Sequence, residues 1–211
     1  MRLFKHFFLA SFVFLSVFAE KTIAAPLTDV NLRAGLISAL KQHPSILGFY
    51  KENEYELIWL KNTDISRQRR AELINSLKTA SFHGLPAKKY QLKELLGRLS
   101  TSDSSFEIGF LEGLLMISFT HYASDINSGV LVPSEVDSDI VRESKIEDPN
   151  FYIRGLISRD PYDYFRSLGP QSSEYSRLLV EKVKLIEVAK NGGWSKLSPG
   201  RILRFGDFGD D

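Results

Sequence analysis

The stretch that decides the fold is residues 106–127, FEIGFLEGLLMISFTHYASDIN. Phe106, Phe110, Leu111, Leu114, Leu115, Phe119, Tyr122 and Ile126 recur at three- and four-residue intervals, the period of an α-helix. Apolar positions cover more than half of that helix's circumference. A helix coated so broadly cannot turn a wide face to water, so it is expected at the centre of a helical body. The polar run TSDSS, residues 101–105, precedes it, and Ser128-Gly129 closes it.

Outward from this helix the chain reads as a succession of shorter ones. Thr28-Asp29 can cap a segment with Leu32, Leu36 and Leu40 on one face. His43-Pro44 stops it, and Pro44 suits the first turn of a short helix ending near Tyr50. YELIWL, residues 55–60, is rich in β-forming residues and is expected to be a short strand or extended segment. Ser66 is expected to cap a helix over residues 67–80 with Leu73, Leu77 and Ala80 inward, and Gly84 to supply its left-handed C-cap. A short helix over about residues 92–99 follows. The acidic stretch 130–150 predicts a loop that wraps the body. Asp148-Pro149 and Asp160-Pro161 each pair a capping residue with a first helical proline. Ser172-Ser173 caps a last long helix, 174–190, with a stripe of Tyr175, Leu178, Leu179, Val183 and Ile186 that Gly192 terminates. The expected fold is all-α: a single globular helical domain around the central buried helix at about 106–127, after a cleaved signal peptide.

The signal peptide is read from residues 1–24. Arg2 and Lys5 precede an apolar run over residues 7–18, and small residues stand at Ala24 and Ala25. That run is far shorter than the roughly 20 residues of a bilayer span, so export outweighs membrane anchoring, with an uncleaved anchor as the alternative. Cleavage after Ala24 is preferred because a cut after Ala25 would place Pro26 beside it. Membrane contact is then expected only during export, and the location is the periplasm. Removing residues 1–24 takes away Arg2, Lys5, Lys21 and Glu20, which turns a net charge of +1 into −1. Such a balance offers no electrostatic ground for a nucleic-acid partner. The chain has no cysteine, which excludes disulfides, thiolate metal sites and a cysteine nucleophile. With 43% apolar and 12% aromatic residues, the core is large enough to dispense with disulfides.

Candidate chemistry is sparse. His121 and Asp125 share a helix face but make only half a metal site, and they read better as a surface pair. His83 precedes a glycine cap and His43 a proline. No serine sits in a Gly-x-Ser-x-Gly elbow. Glu135, Asp137 and Asp139 lie in a loop that lacks the burial and rigidity paired catalytic carboxylates need. No catalytic residue, metal ligand or cofactor is therefore assigned. Aromatic residues are abundant, and Tyr162, Tyr164 and Phe165 on a short helix, with Trp194, are the candidate contacts for a glycan or a partner.

Four strings point to a family. GFYKENEYELIWL, residues 48–60, resembles an opening motif of Phe-Tyr followed by an apolar residue and Trp. SFHGLPAKKYQL, residues 81–92, resembles a His-Gly-Leu…Tyr-x-Leu motif. LLMISFTHYASDINSGVLVPSEV, residues 114–136, resembles a helix ending Tyr-Ala-x-Asp with a later Gly and Pro. SEYSRLLVEKVKLIEVAKNGGW, residues 173–194, resembles a Tyr-x-x-Leu helix ending Gly-Gly-Trp. The ordered set resembles the N-terminal scaffold domain of the large periplasmic L,D-transpeptidases, enzymes that form 3→3 cross-links in peptidoglycan. The resemblance spans about residues 31–205. It implies a helical scaffold at 25–190 and, at 191–211, a linker towards a peptidoglycan-binding domain the chain does not contain. Leu203-Arg204-Phe205-Gly206-Asp207 matches a Leu-Arg-Pro-Gly-Asp string, with Phe205 in place of proline. The family's Ser-His-Gly-Cys nucleophile motif has no counterpart here. The resemblance thus implies a non-catalytic scaffold in cell-wall biogenesis, as a truncated or split product. Its partners would be peptidoglycan or the cell-wall machinery, including a separately encoded catalytic part. The alternative is a stand-alone periplasmic wall-binding or adaptor protein.

Overall fold

The central helix opens on a capping box. Ser104 Oγ accepts the Glu107 amide at 3.2 Å while the Glu107 carboxylate accepts the Ser104 amide at 3.3 Å, a reciprocal cap that satisfies two amides with no partner inside the helix. From this cap helix α5 runs from Ser105 to Ser128. The computed structural model describes residues 29–141, 145–196 and 205; the expected signal peptide at 1–24 lies outside the described residues.

Before α5 come α1 (Val30–Leu40), α2 (Pro44–Glu52), α3 (Asp64–Thr79) and α4 (Leu92–Thr101). After it come α6 (Pro133–Val136), α7 (Pro149–Ser158), α8 (Pro161–Leu168) and α9 (Ser173–Lys190). Two 3₁₀ turns, Ala80–His83 and Ala87–Tyr90, link α3 to α4. The described residues contain no strand, and none of their helices is long and apolar enough to cross a membrane. They form one all-α domain with one core around α5.

Helix α1 lies against α5 at a distance only glycine permits. A Cβ on Gly35 would fall 1.9 Å from the Phe106 carbonyl oxygen, and one on Gly109 would fall 1.9 Å from that of Leu32. A Cβ on Gly113 would meet the Ala39 methyl at 2.6 Å. Across the rest of the core the aromatic rings interlock. Phe119 sits 5.5 Å from Trp59 and 5.7 Å from Phe165, centroid to centroid, and Leu36, Leu73, Leu115 and Leu156 fill the spaces between elements.

Four local expectations change. The cap of α3 is Thr63, which accepts the Ser66 amide at 3.3 Å; Ser66 is one turn inside, buried, and donates to the Ile58 carbonyl at 2.9 Å. Residues 55–60 are not a strand, because no neighbouring strand pairs with them among the described residues; they bend across the core and send their amides to a side chain. The Phe106 side chain at the head of α5 is exposed, although its carbonyl lies against Gly35 of α1. Helix α9 buries no residue: Leu178, Val183 and Ile186 are exposed and Tyr175 only partly covered. The Asp29, Asp148 and Asp160 caps form as the sequence indicates, and Gly84 is left-handed as expected but closes the 3₁₀ turn Ala80–His83, while α3 itself is capped at Ala80.

Two glycine substitutions separate close approach from helix propensity. Gly109→Ala is expected to destabilise the fold by about 1–3 kcal/mol, because the added methyl forces α1 off α5. Gly97→Ala, where a Cβ meets nothing within 4 Å, is expected to stabilise it by about 0.5–1 kcal/mol. Urea denaturation of both variants measures the difference.

Candidate functional site

Two buried carboxylates organise α5. Glu112 is fully enclosed. Its Oε1 accepts the Tyr50 hydroxyl at 2.7 Å and the Ile58 and Trp59 amides at 2.7 and 3.1 Å; its Oε2 accepts Leu60 N at 2.9 Å and Trp59 N at 3.2 Å. Three consecutive amides of the bent segment thus converge on one side chain. Burial pushes the Glu112 carboxyl up and these donors pull it back, leaving it above the ordinary value. Arg69 and Arg70 add favourable positive charge nearby, and Arg70 donates to the Trp59 carbonyl.

Asp125, thirteen residues further along, is the second carboxylate. It accepts Lys89 Nζ at 2.8 and 2.9 Å and the Tyr90 hydroxyl at 2.8 Å. The expected surface pairing of Asp125 with His121 does not form: Asp125 turns inward to Tyr90, and the His121 ring stands 5.8 Å from that of His43. Burial, aided by Lys89 and His43, holds the His121 imidazole below its ordinary value.

The third polar tie lies at the far end of the body. His83 Nδ1 is 2.8 Å from the Tyr175 hydroxyl, with the rings stacked, and Lys182 donates to the Ser81 and Phe82 carbonyls at 2.8 and 3.1 Å. These bonds, rather than an apolar stripe, hold α9. Burial and the Lys182 charge depress the His83 pKa.

Beside this tie a cleft of about 630 Å³ opens between the 83–85 turn, the end of α5 and the segments around Leu131 and Lys145. Lys145 and Glu147 pair across 2.5 Å at its rim. Ser128 Oγ donates to the Lys145 carbonyl at 2.8 Å, so this hydroxyl is not aimed at the His83 imidazole. Among the described residues no three His, Asp or Glu side chains cluster as metal ligands. Among the described residues the hydroxyl bonded to a histidine is the Tyr175 phenol, and no serine or threonine hydroxyl pairs with an imidazole.

Of the four aromatic contact candidates, Tyr162 and Trp194 are exposed at 53% and 74%, whereas Tyr164 and Phe165 are covered to 4% and 6% exposure. The expected exposure of the latter two is corrected by packing. The Tyr164 ring rests on Gly155, where a Cβ would come within 2.5 Å of it, and its hydroxyl donates to the Tyr152 carbonyl at 2.8 Å. Phe165 packs on Phe119. On this eight-residue helix Tyr164 and Phe165 take the inner face, and Tyr162 takes the outer one. Glu112 was not singled out from sequence, although a lone acid within GFLEGLLM was a readable sign of a buried polar anchor.

The described residues form an all-helical body whose buried polar groups tie its own elements together. The Scaffold domain family model matches residues 44–181, and the chain belongs to that family. Neither the curated proteins nor the solved structures contain a match.

Glu112→Gln is expected to cost about 3 kcal/mol or more, because one amide-bearing end would face backbone donors and leave a buried polar group unmatched; thermal or urea unfolding reads the loss. A second expectation concerns pH. His83 is held below its ordinary value of about 6.5, so the unfolded chain binds its proton first as pH falls. Its contribution is complete above that value and is lost below it. Stability measured from pH 7.5 to 5 should therefore fall more steeply in the wild type than in His83→Gln, which retains an acceptor for Tyr175.

Proposed function

We propose that this chain is the non-catalytic scaffold part of an L,D-transpeptidase system, exported to the periplasm and acting in peptidoglycan cross-linking and cell-wall biogenesis. Membership of the Scaffold domain family supports the scaffold role, and the four ordered strings support the link to L,D-transpeptidases. The observation that carries the reading is α9. Its inner edge is tied down by Tyr175 and Lys182, while Leu178, Val180, Val183 and Leu185 stand exposed along its flanks. Apolar side chains exposed in series on a helix tied to the body by side-chain hydrogen bonds suit a docking surface for a folded module. The module proposed is the catalytic part, encoded separately or further along a longer chain. The sequence carries no cysteine with which to form an acyl-enzyme itself.

A second reading, a wall-binding adaptor, is favoured by the exposed Tyr162 and Trp194 rings, which offer faces for stacking on sugars.

The test mixes the full chain with the purified catalytic part of an L,D-transpeptidase and, separately, with peptidoglycan. The scaffold reading expects saturable binding of the catalytic part, weakened at least tenfold by Leu178→Glu with Leu185→Glu, and no 3→3 product from the chain alone. Cross-linked product or a covalent muropeptide adduct formed by the chain alone would overturn it. Saturable retention on peptidoglycan that Trp194→Ala or Tyr162→Ala weakens would instead support the adaptor.

A further inference from the structure

A second cavity lies between the bent segment, the end of α2, the start of α3 and the end of α7. It measures about 230 Å³; Phe49, Leu57, Ile58, Ile65 and Ile157 give its apolar wall, Glu56 and Lys61 stand in its lining with Asn53, Thr63 and Ser66, and Arg69 is its cationic residue without a carboxylate partner. Lys61, also at its edge, pairs with Glu56. The Arg69 guanidinium is poorly satisfied: Nη2 reaches the Ile157 carbonyl at 3.3 Å, and Nε is enclosed without an acceptor. Glu112 lies near enough to attract it but accepts its hydrogen bonds from Tyr50 and the 58–60 amides instead. Around that carboxylate stand two arginines, Arg69 and Arg70. Arg70 donates to the Trp59 carbonyl and does not line the cavity; with Glu56 taken by Lys61, Arg69 is the charge of the lining that has no ion-pair partner.

We infer that this cavity is a binding site for a small carboxylate with a short apolar group, of the kind a peptide C-terminus presents, with Arg69 as the carboxylate-binding residue. Size decides the class. Pockets for drug-sized ligands run to about 300–1,000 Å³, and this one falls below that range, so it admits one terminal residue and not an oligosaccharide. Chemistry decides the charge. A guanidinium recognises a carboxylate through paired N–H groups, and the apolar part of the wall, Leu57, Ile65 and Ile157, takes the side chain. The site lies away from α9 and would serve this purpose whether or not the chain works at the cell wall.

The experiment titrates the ¹⁵N-labelled full chain with N-acetylalanine and with N-acetylalaninamide, following the Arg69 Nε–Hε resonance. The acid is expected to shift that resonance saturably in the millimolar range, with the amide at least tenfold weaker. Arg69→Gln should abolish the shifts of neighbouring Ile65 and Ile157 amides. Because Arg69 also faces Glu112, that variant can lose stability, so Ile65→Trp, which fills the mouth and keeps Arg69, provides the second arm and should weaken the acid at least tenfold. Equal shifts from acid and amide, no saturable shift, or unchanged binding in Ile65→Trp would overturn the assignment.

Discussion

One carboxylate carries more of this structure than any other polar group. Glu112 lies on the most buried helix and receives the amides of Ile58, Trp59 and Leu60 together with the Tyr50 hydroxyl. A segment that bends through a protein interior must place its backbone donors somewhere, since buried amides without acceptors cost more than most packing contacts return. Here a side chain on α5 takes the part that a neighbouring strand takes in a sheet. The consequence is positional. With its amides held, Trp59 is delivered into the core against Phe119, Ser66 can reach the Ile58 carbonyl from α3, and α2 is joined to α5 through Tyr50.

The central helix therefore serves two kinds of neighbour by two kinds of chemistry. Towards α1 it is bare: Gly109 and Gly113 oppose Gly35 and Ala39, and the backbones close to a separation that any larger residue would prevent. Towards the 55–60 segment and the 3₁₀ turns it is polar, with Glu112 and Asp125 each collecting donors from distant parts of the chain. Dispersion acts on the first side and hydrogen bonding on the second, so a substitution on one face is not expected to be compensated by changes on the other.

The motif strings acquire a physical meaning from these contacts. Tyr50 and Trp59 of the first meet Glu112, Tyr90 of the second meets Asp125 of the third, and His83 of the second meets Tyr175 of the fourth. These residues of the four strings thus lock elements of this fold together. Its outward-facing chemistry lies elsewhere, on the open flanks of α9 and in the small cavity beside Arg69.

The sequence by itself determined the helical class, the identity of the central helix and most helix starts, because a 3.6-residue apolar period and a capping Asp or Ser next to Pro act within a few residues. Phe119, Leu115 and Ile126 are in the core for that reason. Tertiary structure decided the rest. YELIWL had the composition of a strand, but strand formation needs a partner, and a buried glutamate supplied its acceptors instead. Tyr164 and Phe165 were legible as aromatic, but which side of a two-turn helix faces the body depends on Gly155 and Phe119, elements away in the chain. The stripe on α9 was legible as apolar, yet whether it is covered depends on what lies opposite, and among the described residues the body bonds this helix through Tyr175 and Lys182. Local propensity acts through neighbours in the chain, whereas burial is a property of the surface that folding brings into contact.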